Sequence, residues 1–393
     1  MLKRKKQAVS AYSNFNTIEF VNGGKSYFDL LIKLINQSVH SIHLQTYIFD
    51  YDETGLIISS ALIAASKRGV QVYLLVDGYA SQGLSKKLIK QFKEVGIHFR
   101  FFEPIFKSKH FYFGRRLHHK IFVSDEKYAV VSGRNIADRY NDLPGKMAWL
   151  DFGLFVEGNS VKEICILCWK TWKGFPVKME ITPCEKNEGS FDFKSKELVD
   201  IRMRRNDWVR RKKEISATYI EMIRNAQSHI TIICSYFLPG KIIRKLLKAA
   251  TERGVKIKLI TAGPSDVMVA KRAERWMYDW LLRNKIEIYE YQPTVLHAKV
   301  AVCDSKWFTI GSYNVNNISA YASIELNLDI RNDNFSGKME LILDNIIKDD
   351  CIPITVEELT HSKNIIKQFI RWCSYQFIRL SFFLFTFYYK QIS

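Results

Sequence analysis

Two histidines, two lysines and two asparagines stand in the same order at two places in this chain, and together they could bind a phosphoryl group and attack it. Residues 117–135 read LHHKIFVSDEKYAVVSGRN, and residues 296–314 read LHAKVAVCDSKWFTIGSYN. Both fit the frame H-x-K-x4-D-x7-[GS]-x-N. The first copy supplies His118, Lys120, Asp125, Gly133 and Asn135; the second supplies His297, Lys299, Asp304, Ser312 and Asn314. Lysine offers a point charge and the amide offers neutral donors to phosphoryl oxygens. An imidazole, with an ordinary pKa of about 6.5, can serve as nucleophile or proton carrier at neutral pH.

The spacing says how such groups would be held. Side chains at i and i+2 of a strand share a face, so His118 and Lys120 point one way while His119 and Ile121 point the other. Each aspartate falls where that strand should end, in Asp125-Glu126-Lys127 and Asp304-Ser305-Lys306, and a second apolar run follows. The pattern predicts a hairpin whose return strand brings Asn135, or Asn314, back to the level of its histidine and lysine. A single His-x-Lys strand would read as an ordinary solvated face. Recurrence of the lysine, aspartate, small residue and asparagine at identical intervals points to a site instead.

The surrounding chain is duplicated too. Residues 40–49 predict a strand, 55–68 a helix and 69–76 a second strand, the alternation of an α/β sheet flanked by helices. AATERGVKI at 249–257 repeats AASKRGVQV at 64–72, and HITIICSYFLP at 229–239 takes the place of HSIHLQTYIFD at 40–50. Gly24-Lys25-Ser26 imitates the end of a phosphate-binding loop, but the glycine required five positions earlier is Glu19. The expected division is a basic tail at 1–16, a first α/β module at 17–174, a basic connecting segment at 175–213, a second module at 214–350 and an aromatic segment at 351–393. The connecting segment ends in a cluster from Arg202 and Arg204 to Lys213, read either as a solvated face or as an anion-binding surface.

Composition narrows the partners. The 393 residues carry 59 basic against 40 acidic side chains, a net charge of +19, which favours nucleic acid or a membrane surface rich in anionic lipid. Seven scattered cysteines, mostly inside apolar runs, read as reduced core residues. Cys165 and Cys168 form a C-x2-C without the second pair or histidines of a zinc site, so neither a metal nor a cofactor is expected. The basic start is followed by no apolar signal segment, and export is not expected. Residues 369–389 are rich in aromatic side chains but interrupted by Arg371 and Arg379. The unbroken apolar run is too short for a bilayer, which takes about 20 residues.

The doubled H-x-K-x4-D frame resembles the signature of the phospholipase D superfamily. Flanking residues resemble its bacterial cardiolipin synthases: SIHLQTYIF at 41–49, RNIADRY at 134–140 and Trp149-x-Asp151. The resemblance implies two phospholipase D-like α/β modules, each a mixed, largely parallel sheet flanked by helices, related by a pseudo-twofold axis that turns both histidines onto one phosphodiester. It maps the catalytic set onto His118, Lys120, Asp125, His297, Lys299 and Asp304, with His118 as nucleophile and the aspartates expected to hold the hairpins rather than touch substrate. Asn135, Asn314, Gly133 and Ser312 would line the substrate, and Asp151 and Glu325 would orient the histidine rings, Asp151 after a longer loop than Glu325.

The implied reaction joins two phosphatidylglycerol molecules into cardiolipin and glycerol through a phosphohistidine, without metal. The alternative is a phosphodiesterase or nuclease using the same histidines on phospholipid or DNA. Synthases of this type commonly begin with transmembrane helices, for which the residues before the first module leave no room. A peripheral place on the cytoplasmic face of the cell membrane is therefore expected, with the aromatic segment lying either in the interface or against the modules as an ordinary helix.

Overall fold

In the computed structural model, which describes residues 11–104, 115–174, 193, 195–316, 319, 323–357 and 365–390, the two copies build one continuous mixed sheet with helices on both faces. The tail at 1–10, residues 175–192 and 194 of the connecting segment including Cys184, and the side chains of 382–390 lie outside the described residues.

In the first module Ser41–Thr46, Gln71–Asp77 and His98–Phe102 run parallel, and the hairpin Lys120–Ser124/Tyr128–Ser132 adds antiparallel to Ser41–Thr46. Phe152–Gly158 and then Ser13–Asn22 complete it. The second module repeats the order: His229–Cys234, Lys256–Ala262 and Ile286–Tyr291, the hairpin Lys299–Cys303/Trp307–Gly311, then Ser323–Arg331 and Val199–Asp207. Ser13–Asn22 and Val199–Asp207 pair antiparallel and so join the modules. Parallel pairing joins Ser41–Thr46 through Gln71–Asp77 to His98–Phe102 and His229–Cys234 through Lys256–Ala262 to Ile286–Tyr291, where helices make the crossovers; the hairpins and the seam are antiparallel.

Alternation along the hairpin strands serves both faces. Ile121 and Val123 enter a core that also contains Leu154, Ile201, Phe308 and Leu328 from the two modules, whereas Phe122 joins the core beneath helices Gly24–Gln37 and Glu53–Lys67. Each such fully buried side chain contributes on the order of 1.5–3 kcal/mol. The repeated Arg-Gly pair stops equivalent helices. Glu53–Lys67 ends at Arg68 with Gly69 at φ +97°, and Lys241–Glu252 ends at Arg253 with Gly254 at φ +92°. The two arginines bond equivalent carbonyls, Ile35 O at 2.8 Å and Ile223 O at 2.9 Å.

Two expected boundaries move. Val199–Asp207, inside the stretch expected to be a connection, is a central strand. Its arginines are neither a solvated face nor an anion-binding surface at Arg202 and Arg204: Arg202 bonds Asp329 through Nε at 3.1 Å and Nη2 at 3.0 Å, and Arg204 Nε bonds Thr218 Oγ1, which itself donates to Asp329. Burial forces this pairing, because a guanidinium without a partner there would cost several kcal/mol. Likewise Cys351–Ile354, at the start of the aromatic segment, pairs with Ile286–Tyr291 and closes the far edge of the sheet. The aromatic stretch itself forms helix Ile365–Lys390, which packs through Tyr375 and Ile378 on Met277 and Trp280 of helix Met268–Arg283. Phe369, Phe377 and Leu380 on its other sides are exposed.

Candidate active site

Each hairpin turns through a left-handed pair, Asp125 at φ 50° and Glu126 at 53°, Asp304 at 51° and Ser305 at 53°, the type I′ geometry that matches strand twist. The aspartate is then fixed by backbone. Asp125 accepts from the N–H groups of Val39, His40 and Ser41. Asp304 accepts from those of Gln227, Ser228 and His229. Asp125 lies five positions beyond Lys120, roughly 16 Å along an extended strand. Although sequence places both aspartates in the catalytic frame, the structure uses them to clamp the hairpin to the start of the neighbouring strand. Burial alone would raise Asp304, but the backbone donors hold it down to about 2. Its stabilising contribution is complete above the ordinary value of 3.8 and is lost as pH falls toward 2. Asp304→Ala is expected to cost about 1–3 kcal/mol, read as a lower melting temperature at pH 7.

The opposite ends of the hairpins bring the two histidines together. Arg116–Leu117 lies parallel to Ser323–Ile324, and the N–H groups of His118 and His119 both donate to Ile324 O. Leu296 bridges Leu150 in the same parallel sense, with His297 N donating to Leu150 O at 2.8 Å. Each histidine is thereby threaded past the acidic residue of the other module. His118 Nδ1 lies 2.9 Å from Glu325 Oε2, and His297 Nδ1 lies 2.7 Å from Asp151 Oδ2. A carboxylate only accepts, so Nδ1 carries the hydrogen and each Nε2 keeps its lone pair for the site.

The small residue of each frame now has a role different from the expected substrate contact. A Cβ on Gly133 would stand 2.4 Å from Asp151 Oδ2, so only glycine leaves that carboxylate in place. Ser312, at the equivalent position, donates its hydroxyl to Glu325 Oε2. Both positions seat the orienting carboxylates. Arg134 also holds this region: buried, it donates to Val21 O at 3.1 Å and to the carbonyl of Asp151.

Lys120 Nζ donates to His118 O at 2.6 Å and sits 5.3 Å from the centre of the Tyr47 ring; Lys299 Nζ donates to His297 O and, at 3.1 Å, to Ser235 Oγ. Burial pushes Lys120 down to about 7, opposed by Glu325 and reinforced by Lys299; burial lowers Lys299 as well. The same burial, with Lys299 beside it, takes His297 down to about 3, and burial likewise lowers His118 against the pull of Glu325. The result is one desolvated pocket that sets two buried lysines near the Glu325 and Asp151 carboxylates, beside two neutral imidazoles. An anionic phosphodiester would stabilise the charged lysines and raise the proton affinity of the imidazoles.

Asn135 is buried, its Oδ1 accepting from Ile48 N at 3.0 Å and its Nδ2 donating to Tyr140 OH at 2.8 Å. Asn314 lies 3.7 Å from Cys234 Sγ. Tyr140 OH is also 3.5 Å from His297 Nε2, and the Tyr47 ring meets the His118 ring edge-on at 5.0 Å. Tyr47, Tyr140 and Ser235 stand in the site without having been singled out for it by sequence. Their only signal was membership in the SIHLQTYIF and RNIADRY runs and in the second copy of the former. His119, as the alternation predicts, faces away and bonds Gln45 Oε1 at 2.9 Å in the core.

Known proteins are similar to this chain in sequence and in fold. A family model described as "Cardiolipin synthase, PLD-like domain" matches residues 31–150 and 219–347. Cardiolipin synthase B of Escherichia coli (strain K12) is 29% identical over 339 residues, covering 86% of this chain and 81% of that protein. Cardiolipin synthase 1 of Bacillus anthracis is 28% identical over 320 residues, covering 80% of this chain and 62% of that protein. Among solved structures, phosphatidylserine synthase of Haemophilus influenzae Rd KW20 superposes with a TM-score of 0.68 at 14% identity over 95% of both chains. A polyphosphate kinase from Porphyromonas gingivalis gives 0.58 at 17% identity, over 87% of this chain and 49% of that one. At those identities the structures speak for the fold alone.

Proposed function

We propose, for a chain that belongs to the phospholipase D-like cardiolipin synthase family, that it transfers a phosphatidyl group from one phosphatidylglycerol to a terminal hydroxyl of another, yielding cardiolipin and glycerol. The observation that carries the reading is the pair of Nε2 atoms, each set by a carboxylate from the opposite module and flanked by a buried lysine. His118 Nε2 attacks phosphorus, forming a P–N bond as the P–O bond to glycerol breaks. The departing oxygen takes a proton from His297 Nε2. The neutral His297 then removes the proton of the incoming hydroxyl, whose oxygen displaces His118 and regenerates both rings. Lys120 and Lys299 stabilise the charge on the phosphoryl oxygens throughout, with Asn135 and Asn314 supplying neutral polar groups beside them.

The test is product analysis. Pure full-length protein with phosphatidylglycerol vesicles is expected to release cardiolipin and glycerol in equal amounts, with plasmid DNA untouched in parallel. Phosphatidic acid as the only lipid product would replace transfer by hydrolysis, and nicked plasmid would favour the nuclease. Because lysines and asparagines supply the electrostatic stabilisation, turnover is expected to survive excess chelator. Loss on chelation with recovery on adding a divalent cation would count against that mechanism.

The same reading places the protein peripherally on the cytoplasmic face of the cell membrane, against anionic lipid. It is supported by the exposed Phe369, Phe377 and Leu380 of helix Ile365–Lys390 and by the net charge of +19. Among the described residues no helix is long and apolar enough to cross a membrane.

A further inference from the structure

Helix Ile365–Lys390 divides its surface three ways. One side, with Tyr375 and Ile378, packs on helix Met268–Arg283; a second, with Phe369, Phe377 and Leu380, is exposed. The third borders a cavity of about 880 Å³ between these two helices and the start of Lys241–Glu252. Volumes of this order accommodate ligands of lipid-headgroup size and larger. None of the histidine-site residues lines it.

Its charge is lopsided. Arg244, Arg275, Arg283, Arg371 and Arg379 line the cavity against a single carboxylate, Asp279. Two of these arginines are already paired: Arg275 is bidentate to Glu290 at 3.0 and 2.7 Å, and Arg283 bonds Asp279. The others have no carboxylate among the described residues. Arg244 lies 6.0 Å over the Trp280 ring, with a buried Nε that has no hydrogen-bond partner among the described residues. Arg379 donates to Gln376 at 3.2 Å and lies 5.7 Å over Tyr375. Arg371 makes no ion pair among the described residues; burial, with Arg275 nearby and against the pull of Glu290, pushes its guanidinium down, the condition a bound anion would relieve. The remaining wall is apolar, with Trp276, Met277, Trp280, Leu282 and Tyr375.

We propose that this groove docks an anionic diacyl phospholipid distinct from the molecules that react at the histidines. Its phosphodiester lies among Arg244, Arg371 and Arg379, which can present paired N–H donors to it. Its acyl chains lie along the tryptophan wall, beside the exposed apolar side of the same helix. A soluble phosphate would meet the arginines but leave the tryptophans uncovered, so the occupant is a lipid. The proposal rests on the reading that this chain works on phospholipid at a membrane.

Acyl-brominated lipid tests it, since bromine quenches an indole only at contact. Full-length protein is titrated with phosphatidylcholine vesicles doped with brominated phosphatidylglycerol, and separately with vesicles doped with the same brominated chains on phosphatidylcholine. The anionic probe is expected to quench, and Trp276→Phe with Trp280→Phe to remove a large part of that quenching. In the variant Arg371→Gln with Arg379→Gln, half-saturation should require roughly tenfold more lipid or higher, with Arg371→Lys/Arg379→Lys intermediate. His118→Ala should bind as the wild type does. Equal quenching by the neutral probe, unchanged half-saturation in the glutamine variant, or quenching indifferent to Trp276 and Trp280 would each overturn the groove. If the glutamine variant fails to fold, the lysine variant and the tryptophan pair decide. Cardiolipin formation from detergent-dispersed phosphatidylglycerol is measured separately. Lipid binding without product sinks the proposed function and spares the groove; product without quenching does the reverse.

Discussion

His118→Ala and His297→Ala are each expected to reduce phosphatidyl transfer by a factor on the order of 10⁴ or more, and the double variant to be no slower than either single one. The reason is geometric. Attack on phosphorus is unproductive unless the departing glycerol oxygen is protonated, so the two imidazoles act as one unit and their losses do not add. Single-turnover assays on folded variants, checked by circular dichroism, measure this directly. Quenching in alkali with labelled phosphatidylglycerol should trap phosphate on His118 in the wild type. A label on His297 would exchange the two roles, and substantial turnover by either alanine variant would sink the paired mechanism.

Protonation gives that experiment a second readout. Burial favours the neutral form of both imidazoles, with His297 down to about 3, and takes Lys120 down to about 7. The reaction nevertheless starts with a proton on His297. The bound phosphodiester must therefore raise the proton affinity of the pocket, so binding takes up protons, and apparent affinity falls as pH rises through neutrality. Calorimetry of substrate-analogue binding in buffers of different ionisation enthalpy would show that uptake; binding without it would mean that the proton comes from elsewhere.

The hairpins were legible because their information is local. The i, i+2 placement of histidine and lysine, an aspartate at the turn and a small residue on the return strand can be read from 19 consecutive positions in each copy. Strand Val199–Asp207 was hidden by its charge. Val199, Ile201 and Met203 at alternate positions carry the strand period, but the arginines between them look like a solvated linker until Asp329, 127 residues away from Arg202, is known to receive them. The aromatic helix was hidden differently. Its composition suits an interface, and only the fold reveals that helix Met268–Arg283 covers one side of it.

The exchange of acids between modules was the least legible feature. The partners stand 207 and 146 residues apart, and nothing in either copy of the motif says whether its acid serves its own histidine or the other. Glu325→Gln and Asp151→Asn should both lower turnover on phosphatidylglycerol, by a factor on the order of 10³–10⁴, because an amide can turn the imidazole into the wrong tautomer. A substrate with a better leaving group separates them. A p-nitrophenyl phosphodiester departs without a proton, so the first step no longer needs His297 as an acid. Asp151→Asn should then recover most of the nitrophenol burst, while Glu325→Gln, which misdirects the nucleophile His118, should not. Gly133→Ala, whose new methyl would meet the Asp151 carboxylate at 2.4 Å, should behave like Asp151→Asn. If instead Asp151→Asn abolishes the burst and Glu325→Gln keeps it while His118 still carries the trapped label, each acid serves the histidine of its own module and the exchanged arrangement is wrong.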